Sequence, residues 1–224
     1  IFSFDQCHSK KDYEETKTIM QRSHCWEQLS LLHKSPLQSL YGIVHGGQFK
    51  DLRIQSAQFI DSLHFDGYSI GGYLGESKQE MLTILDWVLP ELKKTKPIHL
   101  LGIGRIDDLF YGVEKGIDTF DCVEITRWAR HDRVFISPRE TGNCKSIKGV
   151  LDLKTSQHQY QNDPIDRNCT CPTCKTLTRC AIIELRRTDK VAYRKALTFH
   201  NIYFISHLMQ EMRLAIQEQR FQAL

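Results

Sequence analysis

Short apolar runs bounded by glycine recur along the first part of the chain. They are LYGIVHGG (40–47), DGYSIGG (66–72), IHLLGIG (98–104) and TFDCVEIT (119–126). The first three are each followed by a polar stretch with apolar residues at helical spacing, and residues 11–34 predict a helix after an opening FSFD strand. Strands and helices that alternate in this way are typical of βα units and a parallel sheet. The pattern predicts an α/β fold containing about half of an eight-stranded (β/α)8 TIM barrel.

The alternation stops after about residue 130. RVFIS and GVLDLK predict a pair of hairpin strands, and a polar loop and a cysteine cluster follow. Two helical stretches, 175–188 and 190–221, close the chain. We therefore predict a partial barrel in residues 1–130, followed in residues 131–224 by a hairpin, a small metal-binding lobe and closing helices.

Cysteine content, net charge and the lengths of the apolar runs indicate the cellular compartment and the kinds of partner. The chain has 224 residues, eight cysteines and a net charge of +3, which permits nucleic acid as a partner without requiring it. Disulfide scaffolds are shorter and denser in cysteine, so we expect a reducing cytoplasm. No apolar run approaches the roughly 20 residues that span a bilayer, and the start shows no secretory signal pattern. We expect no membrane association.

The stretch NCTCPTCKTL (168–177) predicts a metal site. Cys169, Cys171 and Cys174 place three thiolates on one tight turn, and a tetrahedral zinc needs a fourth ligand. His200, one helix further along, is the better candidate, and Cys180 is its rival. Four protein ligands leave no open position, so one structural zinc ion per chain is expected.

Several motifs resemble the tRNA-guanine transglycosylases, also called the queuine tRNA-ribosyltransferase family. In order they are GIVHGGQFKDLRIQSA, FDGYSIGG, LLGIGRIDDL, FDCVEITRWAR, CTCPTC and FHN, and the likeness runs from Asp5 to about Phe221. The resemblance implies exchange of the wobble guanine of tRNA for a 7-deazaguanine base, prequeuine or queuine. It also implies that His200 completes the zinc site, and it suggests a homodimer.

The resemblance assigns roles to particular residues. Asp121, at the carboxyl end of a predicted strand, matches the nucleophile that forms a covalent ribosyl intermediate. Asp5 matches the aspartate that accepts hydrogen bonds from the base. The pocket positions that match are His45, Gly72, Leu101 and Gly102.

The chain departs from the family pattern at three places. His45 stands where the family usually has glutamine, and the loop after Gly72 is one residue short. The family also has a second aspartate, which accepts a proton and lies in its N-terminal part. The residues before Asp5 contain no match for it. These residues are therefore either part of a longer protein or a remnant, and in both cases we expect them to be inactive alone.

Two segments on either side of the nucleophile are expected to contact tRNA. They are Gly102, Ile103, Gly104, Arg105, Ile106, Asp107 and Asp108, and then Thr126, Arg127, Trp128, Ala129 and Arg130. The arginines can reach phosphates, whereas Trp128 can stack on a splayed base or pack inward. Three other functions stay open: a non-catalytic, zinc-stabilised tRNA-binding partner subunit, a bare RNA-binding module and a metal-dependent barrel hydrolase.

Overall fold

A computed structural model describes residues 1–7, 12–137 and 149–223. The chain divides into two compact units, Ile1–Cys122 and Val123–Leu224. The boundary predicted after residue 130 lies inside the second unit. The residues between the two positions form a helix that packs against the long C-terminal helix.

The first unit is an α/β structure with a four-stranded parallel sheet in the order β1-β2-β3-β4. Its elements are α1 (Tyr13–His33), β1 (Tyr41–Val44), α2 (Lys50–Ser62), β2 (Gly67–Ile70), α3 (Lys78–Val88), β3 (Ile98–Leu100), α4 (Ile106–Glu114) and β4 (Thr119–Phe120). A 3-10 turn at Leu89–Glu91 follows α3. The predicted alternation of strands and helices is confirmed.

The two faces of the sheet differ in character. Val44, Ile70 and Leu100 pair in register and belong to the apolar core with residues of α2 and α3. Because successive side chains alternate between faces, the register row of Ile43, Ser69, His99 and Thr119 lies on the other face. That second face carries the polar groups.

Two predicted strands are shorter than expected. The FSFD segment makes only an isolated bridge between Phe2 and Tyr41. The apolar run 119–126 forms a strand only at Thr119–Phe120, and helix α5 (Glu124–Arg130) takes up its last residues. Ile125, Trp128 and Ala129 have helical spacing, and Ala129 is fully buried, so packing of this face favours the helix.

The described residues of the second unit form α5, an antiparallel strand pair and three further helices. These are β5 (Arg133–Phe135), β6 (Val150–Asp152), α6 (Pro172–Thr176), α7 (Arg179–Thr188) and α8 (Lys190–Gln217), with 3-10 turns at Ser156–Tyr160 and Phe221–Ala223. The predicted strand pair is confirmed. The predicted helix 175–188 is interrupted, because the Thr178 hydroxyl accepts from the backbone N–H of Ala181 and caps a new helix. Within the described residues, no helix is long and apolar enough to cross a bilayer.

Candidate active site and metal site

Asp121 lies one residue beyond β4, at the carboxyl end of the parallel sheet. Its Oδ1 accepts hydrogen bonds from the backbone N–H of Gly102 at 3.0 Å and from His99 Nε2 at 3.1 Å. The side chain is 56% exposed, so the held carboxylate still faces solvent. The arrangement suits a nucleophile that must be both oriented and reachable.

His99 is a site residue that sequence reasoning missed. It is buried on β3, and its Nδ1 lies 2.8 Å from the Thr119 hydroxyl. Because an ionised carboxylate only accepts, Nε2–H donates to Asp121 and Nδ1 accepts from Thr119 in the neutral ring. The available signal was an imidazole inside the apolar run IHLL.

Two glycines shape the turns after β2 and β3. Gly72 has φ +73° and Gly102 has φ +76°, a region that side chains with a Cβ rarely adopt. At Gly102 this conformation accompanies the hydrogen bond to Asp121. Leu101, half-buried beside it, contacts the position where Gly71 lacks a side chain. The predicted pocket residues of these two turns therefore lie at the same edge of the sheet.

Asp5 and His45, both predicted as pocket residues, lie side by side. The imidazole Nε2 is 3.5 Å from Asp5 Oδ2, and His45 is fully buried. Burial raises the pKa of Asp5 above its usual range, against a smaller opposing effect of a backbone hydrogen bond. Of the pair, the Asp5 side chain is 29% exposed, whereas the imidazole is fully buried.

Arg53 on α2 is a second residue that sequence reasoning missed. The guanidinium is fully buried and donates to four backbone carbonyls, those of Val44, Gly47, Gly71 and Tyr73, at 2.7–3.0 Å. Burial lowers its pKa to about 9, so it stays charged at neutral pH. It thereby joins the turn after β1 to the turn after β2.

The four predicted metal ligands converge in the second unit. Nδ1 of His200 lies 3.7, 3.5 and 3.3 Å from the sulfur atoms of Cys169, Cys171 and Cys174. A tetrahedron with Zn–S of about 2.3 Å and Zn–N of about 2.0 Å has S···N edges of about 3.5 Å. Nε2 of His200 lies 2.8 Å from the carbonyl of Phe135. That hydrogen bond leaves Nδ1 for a metal, so the donor set fits zinc.

Cys180 lies in a different environment. Its sulfur is 3.3 Å from the Thr178 hydroxyl and 3.3 Å from Asn162 Oδ1. Among the described residues, the group that can hold a metal consists of Cys169, Cys171, Cys174 and His200. The structure therefore brings His200, and not Cys180, to the three thiols. Cys144 falls outside the described residues.

The family model described as queuine tRNA-ribosyltransferase matches residues 1–224. This chain belongs to the queuine tRNA-ribosyltransferase family. The resemblance inferred from the motifs is confirmed.

Curated relatives of the queuine tRNA-ribosyltransferase family align along nearly all of the chain. A protein of Archaeoglobus fulgidus, provisionally named a queuine tRNA-ribosyltransferase, is 43% identical over 222 residues, which are 99% of this chain and 55% of the relative. Queuine tRNA-ribosyltransferases of Streptococcus gordonii and Pediococcus pentosaceus are 40% and 39% identical over 97% of this chain and 56% of their own length. The chain thus spans about half the length of these queuine tRNA-ribosyltransferases.

The residues expected to meet tRNA in this member of the queuine tRNA-ribosyltransferase family lie in both units. Arg105 immediately precedes α4, whereas Arg127 and Arg130 are exposed on α5. Trp128 packs inward, with its ring 5.0 Å from that of Phe135. Ala129 is fully buried, so its side chain faces the core of the second unit. Arg105, Arg127 and Arg130 are thus the exposed arginines of the two predicted segments.

Proposed function

We propose that this chain is the part of a tRNA-guanine transglycosylase that carries the nucleophile, the base pocket and the zinc site. The reaction exchanges the wobble guanine of tRNA for a 7-deazaguanine base, and the enzyme is a pentosyltransferase. The observation that carries the proposal is Asp121, held by His99 and Gly102 at the carboxyl end of a parallel sheet in a chain of this family. Barrel enzymes place catalytic groups at that end.

The chemistry consists of two displacements at one carbon. A carboxylate oxygen of Asp121 bonds to C1′ of the ribose while the glycosidic bond to guanine breaks, and the departing guanine takes up a proton from water. A nitrogen of the incoming base then bonds to C1′ while the bond to the carboxylate breaks, and the proton of that nitrogen passes to water. The N–H groups of His99 and Gly102 hold the carboxylate in position throughout.

Base recognition is assigned to Asp5 and His45. The carboxylate accepts from the donor groups of a guanine-like edge, and the imidazole can donate to its carbonyl oxygen. Gly72, Leu101 and Gly102 form the turns that line the same edge of the sheet. Prequeuine, which is the aminomethyl precursor, and queuine are both compatible with these contacts.

The other assignments concern support and partners. The sheet is read as the C-terminal half of a (β/α)8 barrel, and zinc bound by the cysteine-histidine group would stabilise the second unit. Phosphates of tRNA are assigned to Arg105, Arg127 and Arg130. A homodimer and a cytoplasmic location stay predictions.

Trapping a covalent adduct tests the proposed function. The full-length protein, mixed with tRNA and guanine and then denatured, should retain tRNA on the chain. Asp121→Asn should bind tRNA but give no adduct, because an amide is a poor nucleophile. Asp86→Asn, which removes a surface pair with Lys115, is the matched control and should give a normal adduct.

Two outcomes would contradict the proposal. A normal adduct in Asp121→Asn would remove the nucleophile from that position. Tight tRNA binding without any adduct in the unmodified protein would favour the non-catalytic partner subunit. Residues 1–224 alone are expected to show no exchange, and robust guanine exchange by them would refute that expectation.

A further inference from the structure

Glu27 on α1 is a buried carboxyl group with no part in the chemistry above. It is fully buried, and its Oε1 accepts from the backbone N–H of Ile43 at 2.8 Å and from the Ser3 hydroxyl at 3.3 Å. Its Oε2 is also buried, and no hydrogen bond to it is found among the described residues. A buried carboxyl group is costly, so its contacts need an explanation.

The contacts belong to one face of α1. Ser23, Glu27 and Ser30 follow each other at i, i+4 and i+7, which places them on the same side of the helix. Ser23 accepts from the backbone N–H of Gln6 at 3.0 Å, and Ser30 accepts from that of Phe4 at 3.2 Å. The helix therefore holds the opening segment on both sides of Asp5.

The same carboxyl group reaches the strand that leads to His45. Ile43 lies on β1, two residues before His45. The backbone N–H of His45 donates to the Ser56 hydroxyl at 2.9 Å, and Ser56 also contacts His24 of α1 at 2.9 Å. Glu27 is thus the point at which the segment of Asp5 and the strand of His45 are tied to one helix.

We propose that Glu27 is a positioning residue for base recognition, which sets the place of the Asp5 carboxylate against His45 by holding Ser3 and Ile43 together. This inference rests on the proposed function, since it assigns a role within the base pocket. Glu27 acts through the backbone and touches neither the reacting atoms nor Asp121.

The protonation state of Glu27 selects the most informative variant. Burial raises its pKa to about 8, against hydrogen bonds from Ile43 and Ser3, and the nearby charge of Asp5 raises it further. Other titratable groups on the elements around it include His24, one turn earlier on α1, and His45, two residues after Ile43. At neutral pH the group is mostly the uncharged acid, which glutamine imitates in shape and charge, whereas aspartate is too short to reach both partners.

The test compares three variants of the full-length protein by steady-state kinetics of guanine incorporation into tRNA. Glu27→Asp should raise KM for the base about tenfold, the size of one lost hydrogen bond, while kcat stays within about twofold. Glu27→Gln should keep KM within about twofold of the unmodified protein. Glu14→Gln, an exposed change on the same helix, is the control and should alter neither constant.

Amide hydrogen exchange supplies a readout that needs no activity. In Glu27→Asp, the amides of residues 3–6 should exchange at least about tenfold faster, while those around the zinc ligands do not change. If the unmodified protein shows no transglycosylation, the proposed function fails. The hydrogen-exchange result still decides whether Glu27 holds the opening segment in place.

Two results would overturn the inference. One is a Glu27→Asp protein with a lower melting temperature but unchanged KM and unchanged exchange in residues 3–6, which is the behaviour of a merely structural group. The other is a rise in KM for Glu27→Gln as large as that for Glu27→Asp, since the isosteric amide should restore the contact.

Discussion

Nε2 of His99 lies 3.1 Å from Oδ1 of Asp121, although the two residues are 22 positions apart. The pairing follows from sheet register, because His99 is opposite Thr119 and Asp121 comes two residues later on the same face. A carboxylate held by a side-chain donor and a backbone donor keeps one orientation, which reduces the cost of aligning it with a carbon atom.

Replacing His99 tests that orientation. His99→Phe keeps a ring in the strand but removes the donor, so kcat for guanine exchange should fall about tenfold with little change in KM for tRNA. His64→Phe, at an exposed position outside the strands, is the control. Rapid-quench measurement of adduct formation checks the step directly, and an unaltered rate would remove His99 from the site.

His45→Gln tests the altered pocket. Glutamine has a fixed donor and acceptor and is the usual family residue, so it should bind guanine more tightly, by about 1 kcal/mol or about fivefold in Kd. Competition between guanine, the aminomethyl precursor and queuine for incorporation into tRNA measures the effect. Equal affinities in both proteins would show that His45 already serves the base as well as an amide does.

Arg53→Lys tests the joined turns. An ammonium group cannot reach four carbonyls that a planar guanidinium spans, so at least two hydrogen bonds are lost in a buried site. We expect the free energy of unfolding to fall by about 2–4 kcal/mol, measured by urea titration. Arg187→Lys, at an exposed position of α7, should change it by less than about 0.5 kcal/mol.

Metal analysis tests the cysteine-histidine group. The protein should carry one zinc per chain, Cys171→Ser should lose it, and the second unit should then unfold at lower temperature, because zinc binding contributes roughly 10 kcal/mol to such lobes. Cys180→Ser, whose thiol contacts Thr178 and Asn162, should keep the metal. Full zinc retention by His200→Ala would exclude the histidine.

The pH dependence of the free energy of unfolding should show that Glu27 is protonated in the folded chain near neutral pH. Its pKa is about 8 in the folded chain against an ordinary 4.5, so between these values the folded state holds the extra proton and stability falls as pH rises. His24, with its pKa lowered to about 4 by burial, acts oppositely below about pH 6.5. Between pH 6.5 and 8, Glu27→Gln should therefore flatten the decline seen by urea denaturation at successive pH values. An unchanged slope would mean that Glu27 is ionised when folded.

Local patterns made much of the structure predictable. Helical spacing and glycine-bounded apolar runs indicated the parallel βα units, because those signals lie within about ten residues of one another. The spacing of Cys169, Cys171 and Cys174 indicated a metal for the same reason. The fourth ligand stayed open between two residues until the fold placed His200 beside the thiols.

The missed residues depend on distant partners. In the sequence, His99 appears only as one polar residue in the apolar run IHLL, and Arg53 and Glu27 appear only as charged residues of mixed helical stretches. The contacts of His99 arise from strand register. Those of Arg53 arise because α2 packs beside the turns after β1 and β2, and those of Glu27 because α1 packs against the opening segment. The last residues of the apolar run 119–126 are helical, because packing of α5 against α8 decides the state of residues 124–130.

The cation of Arg53 is neutralised by carbonyl dipoles, and none of its four recorded partners is an acid. Acid protonates a carboxylate and so breaks an ion pair. Carbonyl groups do not titrate, so acidification leaves these hydrogen bonds of Arg53 in place. The same junction makes the conformations of the two turns depend on each other. An insertion after Gly71 would displace the Tyr73 carbonyl from Arg53 and, through the guanidinium, disturb the contact with the Val44 carbonyl.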